Sequence, residues 1–371
     1  MSYELQEDNL KEVEEHDAKC PSCGASIKFD PSSGKLTCPY CGYEEEIETP
    51  ESFEEQYAQE IDFETAEAQQ SFEWGSEKKV VICDACAAEM IYDALEVANV
   101  CPYCGSNHVM EAAAKNSLEP NGIVPFSVNK EQANSNFRRW IKSRWFAPNQ
   151  AKKSAKADAF SGVYLPYWTF DTNTKTNYSA RYGIDRRVTD KDGKTHTVTD
   201  WYSTRGTYKM FIDDYLVRAS KRYNDSILKK VEPFETNKSL TFNQDYLHGY
   251  IAERYSVGLR DGWDHAKSEI QSMLYSQITT HIKRRHNAQR VSNLNIHTVH
   301  SNVKFKYLML PLWLSSFKYK DKIYQFMVNG QTGKVGGQSP ISPIKVAIAV
   351  VLGLIAAGIV LYLYQQSEGN I

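Results

Sequence analysis

All eight cysteines of this chain fall in Cys-x-x-Cys pairs, and that pattern limits its possible folds more than any other feature. Cys20-Pro21-Ser22-Cys23-Gly24 is followed, after 14 intervening residues, by Cys38-Pro39-Tyr40-Cys41-Gly42. Cys83-Asp84-Ala85-Cys86 is followed, again after 14, by Cys101-Pro102-Tyr103-Cys104-Gly105, so the arrangement repeats with a period of 63 residues. A Cys-x-x-Cys turn aims two thiolates at one ion, and two such turns on adjacent hairpins complete a tetrahedral four-cysteine shell. The glycine after the second cysteine suits a knuckle that needs positive φ.

Disulfides and redox chemistry are the competing readings. The start Met1-Ser2-Tyr3-Glu4-Leu5-Gln6-Glu7-Asp8 has no basic or apolar signal region, so the chain is expected to stay in a reducing compartment where disulfides fit poorly. A redox pair would not recur in four evenly placed copies. The expectation is two structural zinc ions in two zinc ribbons, over 18–46 and 80–108, with ligands Cys20, Cys23, Cys38 and Cys41, and Cys83, Cys86, Cys101 and Cys104. Four protein thiolates leave no position for water, which makes each site structural rather than catalytic. Ala87 replaces the glycine at the first knuckle of the second set. His16 and His108 lie close by and read as surface residues. Each ribbon has little apolar core, Ile27, Phe29 and Leu36 in one and Met90, Ile91 and Leu95 in the other, so metal must supply much of the folding free energy.

The second constraint is an apolar run over 344–364, IKVAIAVVLGLIAAGIVLYLY, whose sole charge is Lys345 at its leading edge. As a helix it measures roughly 31 Å, one hydrocarbon core. It is expected to be a C-terminal, single-pass membrane anchor. Lys318, Lys320, Lys322, Lys334 and Lys345 precede or open it and no Lys or Arg follows, so the N-terminal bulk is expected in the cytoplasm. Tyr362 and Tyr364 fall where an interfacial aromatic belt would, and Gly353 and Gly358 are not spaced as a helix-dimer motif.

Charge divides the chain. Residues 1–80 carry 6 Lys/Arg against 21 Asp/Glu, net −15, and the remaining 291 are net +12, so attraction to polyanions belongs to the second part. An acidic tail occupies 1–17. The acidic connector 47–79 places Phe53, Tyr57 and Ile61 at i, i+4 and i+8, the pattern of an amphipathic helix that docks a partner or of a solvated linker helix.

From 120 to 335 the texture is aromatic, alternating and punctuated by turns. Residues 163–170, 177–182 and 209–212 read as strands, Asp192-Gly193 as a hairpin turn, and 303–310, 312–318 and 323–328 as further strands. Two helices are predicted, Lys130–Ser143 with Ala133, Phe137, Trp140 and Ile141 on one face, and 264–286 with Ile270, Met273, Leu274, Ile278 and Ile282. The fold class is therefore α+β: two N-terminal zinc ribbons, a central α+β platform with an antiparallel sheet, and one C-terminal transmembrane helix over 344–364.

Nothing in the sequence supports an enzyme. Gly330-Gln331-Thr332-Gly333-Lys334 lacks the first glycine and the terminal Ser/Thr of a phosphate loop and reads as a hairpin turn. His297 with His300, and Asp213 with Asp214, have no partner motif. Arg138, Arg139, Lys142 and Arg144 interleave with Trp140, Trp145 and Phe146, and Lys283, Arg284, Arg285 and Arg290 end the second helix. Such mixtures bind phosphates, whether of nucleic acid or of anionic lipid, or pair with the acidic residues 1–80.

The CPxCG knuckles, Gly162-Val163-Tyr164-Leu165-Pro166-Tyr167-Trp168-Thr169-Phe170, Leu310-Pro311-Leu312-Trp313, Val328-Asn329-Gly330-Gln331-Thr332-Gly333-Lys334-Val335 and the terminal apolar helix together resemble a family of bacterial membrane-anchored proteins with paired TFIIB-type zinc ribbons. Members are often labelled primosomal or helicase-like, a label the absent motor motifs contradict here. The resemblance implies a cytoplasmic zinc-ribbon adaptor of envelope-stress systems. Its implied partners are phage-shock-protein-A-like (PspA-like) and flotillin-like (SPFH) scaffold proteins at the bilayer. A membrane-tethered nucleic-acid binder using the ribbons and the Arg138, Arg139, Lys142, Arg144 patch is the alternative, and the −15 charge of the ribbon-bearing segment argues against it.

Overall fold

The computed structural model describes residues 19–48, 50, 52–68, 78–83, 89–93, 109–112, 118–154, 160–191, 193–221, 225–320 and 322–368. The N-terminal part contributes strands β1 (Lys28–Asp30), β2 (Lys35–Thr37) and β3 (Glu44–Glu45), then α1 (Phe53–Gln56), β4 (Ile61–Asp62) and α2 (Phe63–Ala68). Strands β5 (Lys78–Cys83), β6 (Glu89–Asp93), β7 (Val109–Ala112) and β8 (Gly122–Ile123) follow. The platform adds α3 (Lys130–Ser143), α4 (Asn149–Ser154), β9 (Ser161–Thr189), β10 (Thr195–Arg218), α5 (Asp225–Val231), β11 (Leu240–Thr241), β12 (Ile251–Glu253), α6 (Leu259–His286), β13 (Arg290–Tyr319), β14 (Lys322–Asn329) and β15 (Val335–Gly337). The last helix is α7 (Pro343–Glu368).

Strands β1, β2 and β3 form a three-stranded antiparallel sheet, and the other strands a sheet of 12. The large sheet is antiparallel as expected, except where β8 runs parallel to β13 and β12 parallel to β9. Its spine is β9 and β13, of 29 and 30 residues, each with roughly 95 Å of contour. Several strands expected as separate pieces are thus stretches of two continuous ones.

Two regimes of burial divide the spine. From Val163 to Thr172 every residue of β9 is buried, because both faces are covered. One face packs on α6 and α3; the other holds Val163, Leu165, Tyr167, Leu308, Leu310 and Leu312 against Ile227, Leu228 and Val231 of α5. A strand buried on both faces needs a continuous apolar run, which YLPYWTF supplies. Beyond Thr172 burial alternates: Thr174, Thr176, Tyr178 and Ala180 are buried, while Asn173, Lys175, Asn177, Ser179 and Arg181 are exposed. There β9, β10 and β13 form an arm with α6 on one face only, packed through Ile270, Leu274, Ile278 and Ile282. The registers shift where arm meets base, between Ile212 and Tyr215 and between Ser301 and Lys304, with Asp214 and Asn302 at positive φ.

Helix α3 matches its expected span, capped by a reciprocal Asn129/Gln132 box. Helix α6 begins one turn earlier than expected, at Leu259, and Gly262 lies where a Cβ would meet the Trp168 indole at 2.7 Å. The 330–334 segment is the β14/β15 turn, organised by buried Asn329, whose Oδ1 accepts from the N–H groups of Gln331 and Thr332 at 2.9 Å each.

The connector departs from its helical reading. Helix α1 ends at Gln56; Tyr57 is extended and bridges to Leu240, and Ile61 lies in β4 opposite Phe305 of β13. Phe63 is buried among Phe170, Trp263 and Phe305. Tertiary pairing with the platform overrides the helical period, so this stretch is part of the fold.

Candidate metal centre and docking surfaces

Each knuckle of the first cysteine set is built from the same hydrogen bonds. Cys20 N–H donates to the Ala25 carbonyl and Gly24 N–H to the Cys20 carbonyl, at 2.6 and 2.8 Å. Cys38 N–H donates to Tyr43 and Gly42 N–H to Cys38, at 2.8 and 3.0 Å. Gly24 and Gly42 have φ of +72° and +74°, which a side chain there would strain. The knuckles bring all four Sγ atoms within 4.8 Å of one another, with Cys20–Cys41 at 3.4 Å and Cys23–Cys38 at 3.5 Å. A tetrahedron of thiolates at the usual zinc distance has edges of about 3.8 Å, so the cluster fits one such ion. The N–H of Cys41 pulls the Cys38 thiol down to about 6, against the opposing effect of burial, with the Tyr40 N–H adding to the pull, whereas, against the Tyr43 N–H, the hydrogen bond with Cys20 pushes Cys41 up to about 12 and, against the Ala25 N–H, that with Cys38 pushes Cys23 up. Four thiolates this close repel unless a dication sits among them.

Cys20 and Cys38 are buried, Cys23 and Cys41 exposed, so the cluster has a platform side and a solvent side. The ribbon is fastened to the platform. Phe29 is buried beside Tyr246 and Tyr250, its N–H donates to the His248 carbonyl at 3.0 Å, and its carbonyl accepts from the Tyr250 hydroxyl at 3.3 Å. On the solvent side Tyr40, at the tip of the second knuckle, is 81% exposed.

Of the second cysteine set, Cys86, Cys101 and Cys104 lie outside the described residues, as do His16 and His108. The backbone of Cys83 ends β5, which pairs with β6 and β7, and β6 pairs with β12 of the platform.

The remaining motifs come apart or move into other roles. His297 is exposed, and half-buried His300 is on the opposite face, edge-on to Trp263 at 5.2 Å, so they do not share a site. Asp213 is exposed, whereas Asp214 joins a charged cluster at the base of the arm. Its carboxylate lies 2.5 Å from buried Lys306, its N–H donates to Asp171 at 2.8 Å, and Lys304 meets Glu60 of the connector at 2.9 Å. Burial, then the shared hydrogen bond with Glu60, pushes Asp171 up to about 7, while Glu60 is held below its ordinary value by that bond and by Lys304. The native state therefore keeps a proton on Asp171 across roughly pH 4 to 7 that the unfolded chain has lost. This stabilisation is complete below about pH 4 and is lost as pH rises through about 7. Asp171→Asn is expected to remove that part of the pH dependence, giving a denaturation midpoint above wild type at pH 8 and close to it at pH 4. Equal slopes for the two proteins would contradict the assignment.

The sequence also left the arm's open face unread. It presents Lys175 and Arg181 on β9, Arg205 and Lys209 on β10, and exposed Trp201, Phe211 and Val299. The segments 172–183, 201–211 and 292–301 that build it contain no Asp or Glu.

The uncharacterized protein YdjG of Bacillus subtilis (strain 168) is 31% identical over 332 residues, which span 89% of this chain and 91% of that protein. No family model and no solved structure matches the chain.

Proposed function

The chain belongs to the family of Bacillus subtilis YdjG, and with that kinship as premise we propose that it is a membrane-anchored cytoplasmic adaptor, a binding protein rather than an enzyme. The zinc-held ribbon and the platform recruit protein partners to the bilayer on which α7 anchors them. The observation that carries this reading is the open face of the arm: a cationic sheet surface, without Asp or Glu over 172–183, 201–211 and 292–301, with aromatic side chains left in solvent, extended beyond the core that stabilises it. Such a surface suits a partner that presents acidic residues. PspA-like and SPFH scaffold proteins are the candidates the family resemblance implies. The second cysteine set holds a second zinc ion in the same account.

The test is affinity capture of the full-length protein from mild-detergent membranes, with and without nuclease. It is run beside a Lys175→Glu/Arg181→Glu/Arg205→Glu/Lys209→Glu variant and a Tyr40→Ala variant. Protein partners that survive nuclease and are lost with the charge-reversed face are the expected result. Recovery dominated by nucleic acid, lost on nuclease treatment, would replace the adaptor with a tethered nucleic-acid binder.

A further inference from the structure

The corner between α3 and α4 is tied to the first turn of α7. Ser342 N–H donates to the Phe146 carbonyl at 2.8 Å, and the Lys345 ammonium donates to the Ala147 carbonyl at 2.9 Å and to Asn149 Oδ1 at 2.8 Å. Lys152 closes the corner from the other side by donating to the Lys142 carbonyl at 2.8 Å. Ala147 is buried at the centre, so the corner is fixed relative to the start of the apolar helix.

This corner leaves its two largest apolar side chains outside. Trp145 is 58% exposed and Phe146 43%, with their rings 5.4 Å apart, and Ile341 and Ile344 beside the tie are 67% and 73% exposed. Segment 132–154 holds Arg138, Arg139, Lys142, Arg144, Lys152 and Lys153 and no Asp or Glu. Arg144 stacks over Trp140 at 4.6 Å, and partial burial, with the nearby charge of Lys345 adding to it, lowers the pKa of Lys152, as expected where the described residues of the corner, 132–154, are cationic and include no Asp or Glu. Exposed aromatics ringed by cations, at the point where an apolar helix begins, match the chemistry of a headgroup layer.

We propose that this corner is a second membrane contact. Trp145 and Phe146 seat in the headgroup region of an anionic leaflet, and Arg138, Arg139, Lys142 and Arg144 face its phosphates. The bilayer is favoured over a nucleic acid because the corner adjoins the residues with which α7 starts. The contact holds the platform in one orientation on the membrane and leaves the arm to reach away from it. The inference rests on the reading of α7 as a membrane span.

The full chain, labelled with 5-fluorotryptophan, is reconstituted into nanodiscs of phosphatidylcholine alone or with phosphatidylglycerol, and Trp145→Phe identifies the Trp145 resonance. In the anionic discs Trp145 is expected to be broadened severalfold more by doxyl-labelled lipid than Trp201 and shielded from an aqueous gadolinium chelate, with Trp201 behaving oppositely. Arg138→Gln/Arg139→Gln/Lys142→Gln/Arg144→Gln should return Trp145 to the aqueous probe. A chain that enters the discs while Trp145 stays open to gadolinium would overturn the corner contact and leave the anchor standing. Failure to enter the discs would overturn both. Transfer of Trp145 from lipid to an added oligonucleotide would assign the corner to nucleic acid instead.

Discussion

Cys38→Ser is expected to release the metal ion and unseat the ribbon, and the damage should reach the platform. One missing thiolate leaves three ligands that repel one another, and besides the cysteines only Ile27, Phe29, Leu36 and Ile47 of residues 19–48 are buried apolar side chains, so the ion carries much of the ribbon's stability. Once the ribbon opens, Phe29 leaves the pocket made by Tyr246 and Tyr250. Loss of a buried phenylalanine costs about 3 to 5 kcal/mol when the side chain is truncated, and a similar loss is expected here. A fall of roughly 10 °C in the platform's melting midpoint follows from that figure. Phe29→Ala separates the two effects: it lowers the midpoint comparably while metal stays bound. Because Cys23 and Cys41 face solvent, a chelator should reproduce the Cys38→Ser phenotype, read as new protease cleavage within 19–48. A Cys38→Ser protein that melts like wild type would contradict the seating.

Removal of 344–371 is expected to convert the protein from membrane-extracted to freely soluble. Within α7 the span Pro343–Val360 has a mean hydropathy of 2.4 and none of it is buried against the protein. An apolar helix with no polar stripe and no protein cover needs lipid around it. The cationic α3–α4 corner remains in the shortened chain, so weak adhesion to anionic vesicles is expected at low salt and should disappear in a salt wash. Leu354→Arg, which puts a charge near the middle of the span at a cost of about 2.5 to 3.5 kcal/mol, should reduce insertion without removing any of the fold outside the span. A truncated chain that stays on membranes through a salt wash would overturn the single-anchor account.

Where one physical signal dominated, the sequence was readable. The knuckles of the first cysteine set follow from ligand spacing and two glycines, and α3 follows from a clear apolar stripe. The great length of β9 was hidden because the buried face of the arm starts with Thr172, Thr174 and Thr176, which hydrogen-bond to the neighbouring strands instead of displaying apolar alternation. The connector misled for a related reason: Phe53, Tyr57 and Ile61 keep a helical period, yet Tyr57 and Ile61 are captured by bridges to Leu240 and Phe305, residues far along the chain. The parallel pairings of β8 and β12 and the Asp171 cluster likewise depend on contacts between distant segments, which no local pattern announces.

The measurement that bears most directly on the central claim, a zinc-held ribbon clamped to a membrane-bound platform, is the metal content of the purified full-length protein beside its Cys20→Ser/Cys23→Ser variant. About two zinc ions per chain are expected in the wild type and the loss of one in the variant, together with the fall in melting midpoint. A zinc content that the Cys20→Ser/Cys23→Ser substitution leaves unchanged, or a chain that holds no zinc when isolated without chelator, would contradict it.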